Sequence, residues 1–295
     1  MKQIRTFLCL LLAALVLPLS LAAFAQEDDS GVITDTVESE DIQMDYCRFG
    51  TGEKNLVILP GLSVTPVTPS AELIAQSFAL FADAYTVWLF DVPADLPEDC
   101  TIEDIADATA DAMRSLGIGQ ADVFGASMGG MIAQCIAEDT PELVDHLILG
   151  STAAYCSDAT REKITEWIAL ARTGDGEALS LSMAGDIYTP DIVEANLDVF
   201  RSQGQAYTED DLQHFITLAT AITRFDRRGR LADIVCPVLV LSCEADAVMP
   251  LEVQQQLAGA LVAEQYCYGP EYSHAVYDEA ADYHDRMLDF LTQAE

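Results

Sequence analysis

At 295 residues, with 51% apolar and 8% aromatic side chains, the chain is long enough to bury a large core, which argues against wholesale disorder. Its formal charge of −35 argues against nucleic acid or an anionic membrane surface as partner, since phosphates would be repelled. One domain of generous size, or a domain with an inserted subdomain, fits this length.

Residues 1–25 read as a secretory signal peptide. "MKQIR" carries two positive charges, an almost wholly apolar run follows, and Ala23-Phe24-Ala25 supplies an A-x-A cleavage pattern ahead of the acidic "QEDDS". Cleavage after Ala25 predicts a secreted or cell-envelope protein with no stable membrane span. The apolar run approaches spanning length, so the alternative is an N-terminal membrane anchor. Residues 26–40 are acidic and poor in large apolar side chains, and are expected to be a flexible leader. Cys47, Cys100, Cys135, Cys156, Cys236, Cys243 and Cys267 are odd in number, lie mostly in apolar surroundings and form no CxxC pair. They read as small core residues, with room for one bridge.

Residues 41–156 alternate between strand and helix patterns. "IQMDYCRF", "NLVILPG", "YTVWLFDV", "ADVFGA" and "HLILGST" read as strands. "SAELIAQSFALFADA" is amphipathic and helical, and "TIEDIADATADAMRSLG" opens on a Thr cap with acids in its first turn and ends at a Gly. Such alternation predicts an α/β fold, a mostly parallel central sheet with helices on both faces. Residues 157–230 break the pattern: "REKITEWIALART", "PDIVEANLDVFRSQG" and "TEDDLQHFITLATAIT" are helical, with no strand between them. This segment reads as a helical lid over the end of the sheet, and alternation resumes in residues 231–295. The "RFDRRGR" cluster at 224–230 reads as a solvated or salt-bridged hinge where the lid rejoins the core.

Gly125-Ala126-Ser127-Met128-Gly129 matches G-x-S-x-G at a predicted strand-to-helix turn. A serine there sits on a strained backbone, glycines on either side relieve steric conflict, and the hydroxyl projects from the carboxyl edge of the sheet. The following N–H, on Met128, points at an anion from a helix N-terminus. After a late buried strand, "VLVLSCEADAVMP" offers Glu244 and Asp246 as a partner acid. The chain holds four histidines: His146, His214, His274 and His284. His146 leads a strand and His214 and His284 lie on helices, whereas His274 follows the last strand in "GPEYSHAVY".

From about residue 43 onward the chain resembles the α/β-hydrolase superfamily, in particular its lidded single-domain members: esterases, lipases, lactonases and proline iminopeptidase-like peptidases. "LVILPGL", "WLFDVP", "LGIGQADVFGASMGGMIAQCIAEDTPELVDHLILGSTA", "CPVLVLSCEADAVMP" and "PEYSHAVYDEA" carry the resemblance, in family order and with family-like spacing. It implies Ser127 as nucleophile, Asp246 as acid and His274 as base, in the chain order Ser, acid, His. It also implies a second oxyanion donor in the loop after the first long core strand, at the Leu62 N–H. Here the chain departs from the family, with Pro60-Gly61 in place of the usual His-Gly, and "VPADLPEDC" follows Asp91 instead of a Gly-rich turn.

These readings predict a secreted serine hydrolase that cleaves a carboxylic ester or related acyl bond of a small uncharged or apolar substrate through an acyl-enzyme. An aminopeptidase-type amide hydrolase on the same triad, or a catalytically silent binding protein on this fold, are the alternatives. Trp167, Met183, Tyr188, Phe200 and Phe215 are candidates to line the pocket. No metal cluster, P-loop or dinucleotide fingerprint is present in the sequence, and no metal or other cofactor is expected.

Overall fold

The computed structural model describes residues 31–38 and 43–293, so the signal-peptide reading of residues 1–25 lies outside the described residues. Among these residues eight strands run in chain order: β1 (Ile33–Glu38), β2 (Gln43–Phe49), β3 (Lys54–Leu59), β4 (Tyr85–Phe90), β5 (Ala121–Ala126), β6 (Val144–Gly150), β7 (Val238–Cys243) and β8 (Glu264–Tyr268). They form one sheet in the order β1-β2-β4-β3-β5-β6-β7-β8. β1 and β2 are antiparallel to their neighbours, and the rest pair parallel. All six residues of β5 and all six of β7 are buried, as expected of strands covered on both faces, and Asp122 is the one charged side chain among them.

Helices α1 (Ala71–Ser77), α2 (Ile102–Ser115) and α3 (Met128–Asp139) connect the first parallel strands, and α9 (Leu251–Leu261) joins β7 to β8. Strand order reverses between β4-β3 and β3-β5, so right-handed crossovers send α1 and α3 to opposite faces. Phe78, after α1, and Tyr283 of α11 (Tyr283–Gln293) both pack on Phe124 of β5, which sets α1 and α11 on a common face. α2 packs against α3 on the other. The "TIEDIAD" signal becomes a full capping box, in which Thr101 and Asp104 bond each other's backbone N–H.

Between β6 and β7 the chain forms α4 (Asp158–Arg172), α5 (Gly176–Ile187), α6 (Pro190–Ala195), α7 (Leu197–Ala206) and α8 (Glu209–Arg224). Periodicity gave no helix for α5, and it joined α6 and α7 into one. Their break falls at Asn196, whose side chain bonds back to the Ile192 carbonyl. Both ends of this insertion meet: Cys156 N–H donates to the Phe225 carbonyl and Arg227 N–H to the Ala154 carbonyl. There the "RFDRRGR" cluster is ion-paired. Arg227 Nε lies 2.5 Å from Glu138, whose side chain is fully buried, and its Nη2 lies 2.6 Å from Asp139, which also binds Arg230.

One expectation is corrected. Residues 26–40 are not all flexible leader, because Ile33–Glu38 is a strand in register with β2, from Ile33 opposite Arg48 to Glu38 opposite Gln43. An edge strand gains its hydrogen bonds from one neighbour and needs little apolar burial; Val37 alone in β1 is buried. The seven described cysteines are free thiols, of which Cys267 is exposed. Burial pushes the Cys47 and Cys243 thiols up to about 12, which makes them poor nucleophiles.

Candidate active site

Strand order places the site. Where β3 and β5 lie side by side but their following connections run to opposite sides, a crevice opens at their carboxyl ends. The loop after β3 and the turn after β5 border that crevice. At the turn, Ser127 has φ 54° and ψ −117°, outside the regions open to L residues without strain. Its N–H donates to the Gly150 carbonyl at the end of β6 (2.9 Å), and its carbonyl accepts from Thr152 Oγ1 (2.7 Å). Glycine is required beside it. A Cβ on Gly125 would collide with the Gly129 carbonyl, and one on Gly129 with the Leu59 carbonyl. The missing side chain at 129 lets the loop after β3 lie directly on the N-terminus of α3.

The structure brings three of the singled-out side chains together. His274 Nε2 is 3.0 Å from Ser127 Oγ. His274 Nδ1 is 2.8 and 2.9 Å from the two carboxylate oxygens of Asp246. Asp246 in turn accepts the N–H groups of Val248 (2.9 Å) and Met249 (2.7 Å) on Oδ1, and Gln254 Nε2 (3.0 Å) on Oδ2. Its side chain is wholly buried and that of His274 nearly so, while Ser127 keeps slight exposure. Of the two acids after β7, Asp246 holds the imidazole, and Glu244 is exposed with its N–H bonded to the Tyr268 carbonyl.

Met128 is the first residue of α3 and Leu62 is buried in the loop after β3. Neither backbone N–H donates to a protein acceptor among the described residues. Donors left free at a helix start and an adjoining loop suit an anion. The far end of that loop is fastened by Asp91, the residue after β4, whose carboxylate accepts Val67 N–H (2.7 Å), Thr68 N–H (2.9 Å) and the Thr68 hydroxyl. Burial pushes the Asp91 carboxyl above its ordinary value, against the pull of those three donors.

Trp167, Met183, Tyr188, Phe200 and Phe215 are all buried inside the helical insertion. Trp167 donates its indole N–H to Asp186 (2.9 Å), and Tyr188 stacks on Phe200 with centroids 5.9 Å apart. A cleft of about 450 Å³ opens between the loop after β4 and α8, lined among others by Asp95, Glu98, Asp210 and His214.

Four residues near the triple contact escaped the sequence reading: Gln254, Ser151, Thr152 and Glu279. Gln254 carried a signal, since it interrupts the apolar stripe Val253, Leu257, Ala258 on the buried face of α9. Ser151 is also buried, has φ 46°, and donates its hydroxyl to the His274 carbonyl (2.7 Å). Among the described residues one group has metal-ligand character: Asp122, Asp145 and His146, at the amino ends of β5 and β6. Its His146 Nδ1 and Asp122 Oδ1 stand 2.7 Å apart, a hydrogen-bond distance. Ligands about 2.0–2.2 Å from a tetrahedral ion would stand farther from each other, at roughly 3.3 Å.

Comparison with known proteins agrees with this architecture. The profile described as "Alpha/beta hydrolase family" matches residues 56–289. The 3-oxoadipate enol-lactonase 2 of Acinetobacter baylyi is 24% identical over 236 residues, covering 77% of this chain and 85% of that protein. A 2-hydroxy-6-oxononadienedioate/2-hydroxy-6-oxononatrienedioate hydrolase of Burkholderia vietnamiensis is 27% identical over 269 residues, 86% of this chain and 92% of its own. Among solved structures, the enol-lactonase from Burkholderia xenovorans superposes with a TM-score of 0.75 at 22% identity, covering 88% of this chain and all of that one. At that identity the superposition speaks for the fold alone.

Proposed function

Because the chain belongs to the alpha/beta hydrolase family, we propose that it is a serine hydrolase that cleaves carboxylic esters or related acyl bonds. The observation that carries this reading is the unbroken relay from Asp246 through His274 to the Ser127 hydroxyl, at 2.8 and 3.0 Å. In this reading His274 Nε2 takes the Ser127 proton as Oγ attacks the acyl carbon, then gives it to the departing alkoxide. Water repeats the sequence on the acyl-enzyme and releases the acid. Asp246, held by Val248, Met249 and Gln254, fixes the ring's orientation and offsets its charge while it is protonated.

The N–H groups of Met128 and Leu62 are the proposed donors to the tetrahedral oxyanion, each worth about 3 kcal/mol of barrier. Both are backbone groups, so Pro60 in place of a histidine leaves them available. The relatives named as enol-lactonases make a cyclic ester one substrate class to try first. A chain of net charge −35 favours uncharged or apolar acyl groups over anionic ones. With residues 1–25 read as a signal peptide, the activity is placed outside the cytoplasm. An intact mass beginning at Gln26 on the exported protein is the expected result.

A fluorophosphonate probe tests the chemistry. Wild-type protein is expected to be labelled on Ser127 and Ser127→Ala not at all; equal labelling of the two would reject the assignment. A panel of p-nitrophenyl esters, lactones and aminoacyl arylamides then separates ester from amide hydrolysis.

A further inference from the structure

The loop that carries His274 is bonded on both flanks to the helical insertion. On one side, Ala275 N–H donates to the carbonyl of Ile187, the last residue of α5 (2.9 Å). On the other, the Glu279 carboxylate bridges two chain segments. Its Oε2 accepts Ser273 N–H (3.2 Å), next to the histidine, and its Oε1 accepts Thr189 N–H (3.0 Å), at the start of α6. Glu279 closes α10 (Val276–Glu279), the short turn directly after His274. Between the two insertion anchors lies Tyr188, buried and stacked on Phe200 of α7.

From these contacts, and resting on the function proposed above, we infer that Glu279 is a positioning residue that straps the His274 loop to the α5–α6 corner of the insertion. At this corner the insertion is then a fixed roof whose packing helps to set where the imidazole stands, rather than a flap that swings free of it. A carboxylate suits the task because both of its neighbours are donors. An amide would turn an NH₂ group toward one of the two N–H groups and lose that bond. Small errors in imidazole placement cost much: a misplacement near 1 Å can cost about 100-fold in rate.

Two variants cut the strap differently. Glu279→Gln removes one acceptor. Thr189→Pro removes the Thr189 N–H, along with a hydroxyl that does not cap α6, and leaves the backbone path unchanged, since Thr189 already has φ −64° and Tyr188 has the extended backbone (φ −110°, ψ 159°) that proline demands of its predecessor. Each variant is expected to slow fluorophosphonate labelling of Ser127 at least fivefold and to lower kcat for a p-nitrophenyl ester, with KM within twofold. The double variant should be no slower than the slower single, because both cut one link. Labelling at the wild-type rate, a change confined to KM, or a loss that tracks a fallen melting midpoint would each overturn the strap. If wild-type protein itself escapes labelling, the hydrolase reading fails first. If it is labelled and both variants match it, only the strap fails.

Discussion

His274 and His146 are both buried, both hold an aspartate through Nδ1 at 2.7–2.9 Å, and sit at opposite edges of the same sheet, His274 beyond the carboxyl end of β8 and His146 at the amino end of β6. The differences lie in what surrounds each pair. His274 presents Nε2 to a serine held at positive φ beside free backbone N–H groups. His146 stands edge-on to Phe290, and its partner Asp122 also bonds the Tyr85 hydroxyl. Burial pushes the Asp122 carboxyl up, opposed by those two bonds. His284 makes a third case, with no carboxylate partner among the described residues: it packs on Phe78 at 4.3 Å, and burial pushes its pKa down to about 4. A histidine–aspartate pair is thus an ordinary way to satisfy a buried imidazole. What sets the carboxyl edge apart is the strained turn that aims a hydroxyl at the ring.

The widest expected separation is between the ends of the strands. Ser127→Ala should lower kcat/KM for an ester by about 10⁴-fold or more, measured on freshly purified variant to exclude wild-type carry-over. Asp246→Asn should lower kcat by about 10³–10⁴-fold per folded molecule. The matching change at the other end, Asp122→Asn, should leave kcat within about twofold and cost about 1–3 kcal/mol of stability in urea unfolding. Equal activity losses for the two aspartates would collapse the distinction.

Charge held purely for structure extends the contrast. Arg227→Met leaves Glu138 buried without its cation and should cost about 3–5 kcal/mol in urea, with activity per folded molecule retained. The last contrast belongs to His284, whose effect is read against pH. Its ring takes a proton near pH 6.5 when unfolded and near pH 4 when folded. Between those values the unfolded chain binds more protons, so stability should fall as pH is lowered from about 6.5 toward 4. The loss should reach about 3 kcal/mol. His284→Phe should flatten that slope, and an unchanged slope would remove His284 as its source.

Much of this architecture is legible along the chain. The central strands are apolar runs bounded by turns, and the switch to helices alone after residue 157 is plain in the periodicity. β1 was hidden because an edge strand with one buried side chain looks, in composition, like an acidic linker. α5 was hidden because small residues in "GEALSLSMAGDI" blur its apolar stripe. At the site, the serine turn is readable because its glycines obey a local steric rule. Ser151, Thr152 and Glu279 are not, since each acts through hydrogen bonds to residues distant in sequence: Ser151 reaches His274, 123 positions away. Polar residues of that kind declare themselves only once the chain is folded.

The paired backbone bonds at Ala154–Arg227 and Cys156–Phe225 leave the insertion's two stems side by side on the rim of the sheet. A segment grafted onto neighbouring points can grow, shrink or be exchanged while the strands beneath keep their order. Chimaeras that swap residues 157–224 among relatives should therefore fold, and would inherit their selectivity from the donor. Only a replacement that again offers an N–H to Glu279 and a carbonyl to Ala275 would keep the recipient's turnover.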